Sequence, residues 1–395
     1  MRKTTKTTTR HQAEALADLD SRGLRRRRRT VRRLALDTAE IELDGRRCID
    51  FCSNDYLGLA AHPRVTEAFI AAAREHGVGA RASHLVSGHQ GEHGALEEEL
   101  AAFTGRERAL LFSTGYMANL GLATALVGKG GLVVGDALNH ASLIDAGRIA
   151  RADLDWYAHG DVVALEAKLA ARAARPALVL TDGVFSMDGD LAPLPALAAA
   201  CRRHGAMLAV DDAHGIGVLG DTGAGTLEHY GLAAHAVPAL VGTLGKAFGS
   251  FGAFVAGDAG LIELLVQRAR TYIYTTALPA AVAAATRAAL AVAAAESWRR
   301  VRVLALAGRF RALAAEAGLP LADSATPIQP ILLGGADAAL EASRLLLERG
   351  FHVAAIRPPT VPAGSSRLRV ALSALHRDGD LAGLVAALAD CVPRP

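Results

Sequence analysis

Lysine is the charged residue this chain uses least: only five of its 43 lysine and arginine residues are lysines. Cysteine is rarer still, at four. Cys48, Cys52, Cys201 and Cys391 form no C-x-x-C pair, so buried reduced thiols are expected, and no metal site. No apolar run reaches membrane-spanning length without charges or glycines. The opening Met1-Arg2-Lys3-Thr4-Thr5-Lys6 has the charge of a signal n-region, but no apolar h-region follows. A cytoplasmic protein, not exported and with no membrane partner, is expected. Net charge is only +3, so the body of the chain is not built to bind nucleic acid.

What is present is a globular composition, 51% hydrophobic over 395 residues, long enough for two or three domains. The basic excess is local, in Arg25-Arg26-Arg27-Arg28-Arg29 with Arg32 and Arg33 behind it. A solvated arm, a contact for anions such as the phosphates of a CoA thioester or an acidic carrier protein, and a nucleic-acid arm are all open readings of that run.

The scarcity of lysine makes Lys246 conspicuous. Lys3 and Lys6 lie in a polar tail, Lys129 in a glycine turn and Lys168 on an Ala-rich helical stretch. Lys246 stands in Thr243-Leu244-Gly245-Lys246-Ala247-Phe248-Gly249-Ser250, directly after the apolar run Pro238 to Val241. An amine on a Gly-rich turn leaving a buried strand suits an imine-forming nucleophile in a confined pocket. Upstream, the strand-like Ala206 to Val210 runs into Asp211-Asp212-Ala213-His214-Gly215. Carboxylates and a histidine at the carboxyl end of a parallel strand lie where open α/β sheets bind ligands. A Schiff-base lysine, an acid for a pyridinium nitrogen and a nearby histidine together suggest pyridoxal phosphate.

The remaining pattern places these motifs. Helix periods cover Gly91 to Thr104, Ser142 to Ala150, Val162 to Ala174 and Leu194 to His204. Strand runs cover Leu132 to Val134, Leu154 to Tyr157, Ala177 to Thr181 and Ala206 to Val210. Apolar strands without alternation, separated by amphipathic helices, predict an α/β fold with a mostly parallel sheet covered on both faces. A long Ala-rich helical region, Pro279 to Gly318, leads into a smaller α+β domain of β-α-β-β-α order. Its segments are Ile328 to Leu333, Ala336 to Arg349, Phe351 to Ala355, Arg367 to Leu372 and Leu381 to Leu388. The expected division is an N-terminal arm over 1–45, a large domain over 46–280 and a small domain over 281–395.

Other segments are candidates for the same pocket. Phe112-Ser113-Thr114-Gly115-Tyr116-Met117-Ala118-Asn119 reads as a strand-to-helix turn. It is a seat for a phosphate on free N–H groups, or an ordinary cap by Ser113 or Thr114. Thr243 offers a hydroxyl to the same phosphate. His140, after the strand at Val133 and Val134, is a ring-stacking candidate or a helix cap. Ser186, in the turn Asp182 to Gly189, is a candidate for cofactor oxygens. Arg357 and Thr360 stand on the three-proline segment Ala355 to Gly364, which suits a carboxylate and an acyl chain or a plain surface loop.

Taken together these motifs resemble the α-oxoamine synthases, pyridoxal-phosphate enzymes of the aspartate-aminotransferase-like fold (fold type I). The resemblance runs from about Leu19 to the C-terminus. It is carried by Ser53-Asn54-Asp55-Tyr56-Leu57-Gly58-Leu59, Leu96 to Leu100, Gly183 to Asp190 and Val210 to Gly215. It implies that Lys246 carries the cofactor, Asp211 protonates the pyridine nitrogen, His214 and Ser186 flank the phenolic oxygen and His140 stacks on the ring. Gly115 and Tyr116 would contact the cofactor, and Thr243 the phosphate. Arg25, Asn54, His140, Arg357 and Thr360 would face substrate, and the protein would be a homodimer. The segment Ile356-Arg357-Pro358-Pro359-Thr360-Val361-Pro362 resembles the branch acting in biotin synthesis. That implies decarboxylative condensation of L-alanine with pimeloyl-CoA or a pimeloyl carrier protein, rather than of glycine or serine with another acyl-CoA. The stretch Gly79 to His84 departs from the glycine-richer pattern of many relatives, at the expected acyl-binding contacts.

Overall fold

The computed structural model describes residues 2–172 and 175–392. The chain forms two compact units. The larger comprises Asn54–Ala305 with Ala325–Pro327, and the smaller the N-terminal segment through Ser53, Leu306–Ser324 and the segment from Ile328.

The larger unit is built on a seven-stranded sheet. Its spatial order is Arg108–Phe112, Ala253–Gly257, Ala239–Thr243, Met207–Asp211, Ala177–Asp182, Leu132–Asp136, Asp153–Tyr157. Only Ala253–Gly257 runs antiparallel to its neighbours, so the sheet is mostly parallel, as the unalternated apolar runs predict. Side chains of both parities are buried. Val133, Leu178, Leu180 and Val241 join one core cluster with Leu122, Leu143 and Ile262. Val134, Val179, Leu208 and Val210 point the other way and are equally buried. Neither face of the central strands meets water, which is why they do not alternate; the edge strand Asp153–Tyr157, with Asp153 and Asp155 facing solvent, does.

Strands ending at Asp136, Asp182, Asp211 and Thr243 finish along one edge, the crest where ligands bind in open α/β sheets. The helices that follow were largely foreseen. They span Gly115–Leu126, Ala141–Ile149, Val162–Ala171 and Leu194–His204, although the expected end at Ala174 lies outside the described residues. The Ala-rich region divides into Ala280–Ala295 and Trp298–Glu316. The first of these packs on Pro63–His76 and Gly91–Phe103 within the larger unit. Among the described residues no single helix is long and apolar enough to cross a membrane.

In the smaller unit, Val31–Arg33, Glu40–Leu43 and Arg46–Asp50 form an antiparallel meander. Phe351–His352 adds to it in parallel beside Arg46–Asp50. A second sheet holds Ile328–Gly334, Ser366–Ala371 and Ala354–Ile356 in antiparallel array. The expected strand Phe351 to Ala355 is thus divided at Val353 between two sheets. The unit boundaries accordingly differ from 1–45, 46–280 and 281–395. The N-terminal strands share a sheet with the C-terminal segment, and the helix from Ala280 belongs with the larger unit. All four cysteines are free thiols, and burial pushes Cys201 up to about 12.

Candidate active site

The crest carries the residues singled out by sequence. Lys246 is half-buried on the turn after Thr243, between the fully buried Leu244 and the pair Ala247 and Phe248. Leu244 N–H donates to Gly252 O at 2.9 Å and Ser250 N–H to Leu244 O at 2.9 Å, closing the turn. Gly249 has φ +62°, and a Cβ there would stand 2.2 Å from the backbone nitrogen of Ala60. Only glycine fits that approach.

Asp211 ends its strand with its carboxylate held in place. Asn119 Nδ2 donates to Asp211 Oδ2 at 2.6 Å, and Ala213 N–H to Oδ1 at 3.1 Å. The same Nδ2 donates to Ser142 Oγ at 2.9 Å. Ser142 Oγ lies 2.7 Å from His140 Nδ1, which also accepts the Ser142 N–H at 3.2 Å. His140 caps the helix Ala141–Ile149. Burial pushes its pKa down, Asp211 pulls it up and the Lys246 ammonium pushes it down again, so the three groups share one field. His140 is thus a helix cap that stands within the field of Asp211 and Lys246.

Two further carboxyls line the crest. Asp182 Oδ2 accepts the His140 N–H at 2.6 Å, and burial followed by the Asp211 charge pushes Asp182 well above the carboxylate range. Burial pushes Asp212 up to about 8 although Oδ2 accepts the Thr226 N–H at 2.7 Å. His214 sits beside the buried Tyr56, whose phenol oxygen is 2.6 Å from Nδ1. Tyr56 OH also donates to Asn54 Oδ1 at 3.3 Å, which brings Asn54 to the same group.

Ser186 lies on a turn closed by Phe185 N–H to Asp190 O at 3.0 Å. That turn is tied to the crest by His159, whose Nδ1 is 3.0 Å from Asp136 Oδ1 and whose Nε2 is 2.7 Å from Asp190 Oδ2. The two carboxylates raise His159 to about 10, so it is an imidazolium at neutral pH. At the start of Gly115–Leu126, Thr114 Oγ1 accepts the Met117 N–H at 3.1 Å, an ordinary cap. A Cβ on Gly115 would stand 2.8 Å from Thr243 Cγ2, so the helix start and Thr243 adjoin. Tyr116 is exposed and hydrogen-bonds the Asp145 carboxylate.

The remaining candidates lie in the smaller unit. Arg26 Nη2 donates to Thr360 Oγ1 at 3.1 Å. The Arg357 guanidinium donates to Gly23 O, and burial and the Arg26 charge push its pKa down. Arg25 turns instead to Asp20 at 2.5 Å. Asn119, Ser142, Asp182, Tyr56 and Arg26 had not been singled out as site residues. A lone Asn within the apolar Gly115–Leu126 was the available signal for Asn119.

The family model for aminotransferase class I and II matches residues 46–388. The chain belongs to that family. The chain is 58% identical over 382 residues to the 8-amino-7-oxononanoate synthase of Methylococcus capsulatus, covering 97% of this chain and 98% of that one. Among solved family structures, a serine palmitoyltransferase from S. paucimobilis with a bound PLP–myriocin aldimine superposes with TM-score 0.89. It is 30% identical and covers 92% of each chain. The 8-amino-7-oxononanoate synthase of Francisella tularensis superposes with TM-score 0.77 at 30% identity, covering 87% of this chain and 97% of that one. The expected fold type I architecture is the one observed.

Proposed function

We propose that this chain condenses L-alanine with a pimeloyl thioester on pyridoxal phosphate, giving 8-amino-7-oxononanoate, CO2 and the free thiol. The observation that carries the reading is the 58% identity, over nearly the full length of both chains, to a relative named for that product.

The donor set of the crest fits the cofactor: an amine, a fixed carboxylate, two imidazoles and the start of a 12-residue helix. Pyridoxal phosphate, when bound, supplies a carbonyl that condenses with amines and a ring that withdraws electrons from the amino acid's Cα. Lys246 is the amine that holds that carbonyl. Once released, its Nζ would be the base that takes the proton from the amino acid's Cα. Asp211, steadied by Asn119, keeps the pyridine nitrogen protonated. His140 would stack on the ring, and His214 and Ser186 would flank the phenolic oxygen. The first-turn N–H groups of Gly115 and Tyr116, with the Thr243 hydroxyl, would hold the phosphate.

The alanine Cα then bonds to the acyl carbonyl carbon as the C–S bond breaks and the thiol leaves. The resulting β-keto acid loses CO2, and Cα is reprotonated. By resemblance, Asn54 and His140 of the larger unit are assigned to substrate, as are Arg357, Thr360 and the arginine arm of the smaller. Arg25 holds the arm's place by resemblance, and Arg26 by its contact with Thr360. A homodimer is supported by exposed apolar side chains on the larger unit. Phe69 and Phe251 line one open cavity, and Val86 and Tyr274 are exposed elsewhere on the same unit. Four free thiols, three of them buried, fit a reducing cytoplasm.

The test is thiol release from pimeloyl-CoA by the cofactor-loaded protein, with L-alanine, glycine and L-serine in parallel and the product identified by mass. Release with alanine and the mass of 8-amino-7-oxononanoate is expected. Release only with glycine or serine would overturn the choice of amino acid.

A further inference from the structure

The crest contains a hydrogen-bond chain whose direction can be read atom by atom. It starts at the buried Asn119. Its Nδ2 lies 2.6 Å from Asp211 Oδ2 and 2.9 Å from Ser142 Oγ. Turning the amide over would set its carbonyl oxygen against a carboxylate, so Asp211 dictates that nitrogen faces it. An amide nitrogen carries two hydrogens, and both are then committed. Ser142 Oγ is thereby an acceptor from Asn119. Its single hydrogen is left for His140 Nδ1, 2.7 Å away. The Ser142 backbone N–H points at the same Nδ1 from 3.2 Å. Two donors aimed at one ring nitrogen require a lone pair there.

We infer that Asn119 and Ser142 are positioning residues that hold His140 as a neutral imidazole with its one proton on Nε2. This rests on the reading of His140 and Asp211 as cofactor residues. The surroundings agree with it. His140 is the N-cap of Ala141–Ile149, where the helix dipole opposes a cation, and burial, with the Lys246 charge, outweighs the opposite pull of Asp211. The arrangement solves a problem the site would otherwise have. Asp211 serves a cationic pyridinium, and an imidazolium stacked on that ring would repel it. One amide thus steadies the carboxylate that keeps the ring charged and, through Ser142, keeps the proton off the near nitrogen of His140. The Nε2–H is left as a fixed donor, suited to an incoming carboxylate such as that of the amino acid.

The experiment is long-range proton–nitrogen NMR on protein labelled with 15N in its histidine rings, without and with pyridoxal phosphate, using His140→Gln to identify the His140 signals. The expected wild-type pattern is an unprotonated Nδ1 and a protonated Nε2 in both forms. A protonated Nδ1, alone or together with Nε2, would overturn the inference whatever the activity. Ser142→Ala should mix the two tautomers and raise the KM for L-alanine about tenfold with a smaller change in kcat. Ser142→Thr should restore both. A pure Nε2–H tautomer in Ser142→Ala would remove Ser142 from the role. The product assay above fails or succeeds independently of this spectrum, so the two readings are separable.

Discussion

The phenol oxygen of Tyr56 and Nδ1 of His214 lie 2.6 Å apart, and both side chains are buried. A hydroxyl at that distance fixes the orientation of the imidazole that the proposed function sets beside the cofactor phenolic oxygen. Tyr56→Phe keeps the ring's volume and removes this contact together with the longer bond to Asn54. We expect roughly a tenfold fall in kcat, the worth of one buried side-chain hydrogen bond. Thermal melting should move by only a few degrees. An unchanged kcat would assign Tyr56 to the core alone.

His159 gives a pH prediction with a definite sign. Bonds to Asp136 and then Asp190 raise it to about 10 from an ordinary 6.5. A group raised in the folded state contributes its full stabilisation below the unfolded value and loses it as pH climbs through the folded one. The melting temperature of the wild type should therefore decline between about pH 6.5 and 10, from this group, and that decline should be absent in His159→Gln. Parallel pH profiles for the two proteins would show that the bridge is not made.

Gly115 and Thr243 make a testable pair. A methyl group added at Gly115 meets Thr243 Cγ2 at 2.8 Å, a short side chain with little freedom to move. Overpacking of this kind costs about 1–3 kcal/mol. Gly115→Ala should weaken pyridoxal phosphate binding about tenfold, read by titrating cofactor absorbance. Adding Thr243→Ser removes the opposing methyl and should recover most of the loss. No recovery would mean that the helix start, not the clash, governs affinity.

The arginine run separates into residues with different work. Arg26 reaches Thr360, and Arg25 is in an exposed ion pair with Asp20. Arg26→Ala should raise the KM for pimeloyl-CoA about tenfold, as expected for a hydrogen bond from a charged donor. Arg25→Ala should change it less than about twofold, because exposed ion pairs contribute little. The reverse ranking would return the role to Arg25.

The crest was legible because short, β-branched apolar runs without alternation, separated by amphipathic helices, fit strands buried on two faces, and these ran directly into polar motifs. The antiparallel Ala253–Gly257 was not foreseen. It follows Thr243 through the irregular, lysine-bearing segment 244–252 rather than a helix, so the β-α rhythm that marks the other strands is broken there. Val353 likewise gave no sign that the chain changes sheets at that point.

Sequence alone determined which chemistry the chain carries: one lysine on a glycine turn, one acid and one histidine after neighbouring strands, and the mostly parallel sheet that aligns them. Tertiary structure decided how those groups are held. Asn119 is one of few polar residues on a largely apolar helix, and nothing local says that its amide will meet a carboxylate 92 positions away. Five consecutive arginines have the same local signal, and only the partner each meets in space distinguishes Arg26 from Arg25. Residue type and period are local properties. The direction of a hydrogen bond depends on both of its ends, and folding alone brings the second end to the first.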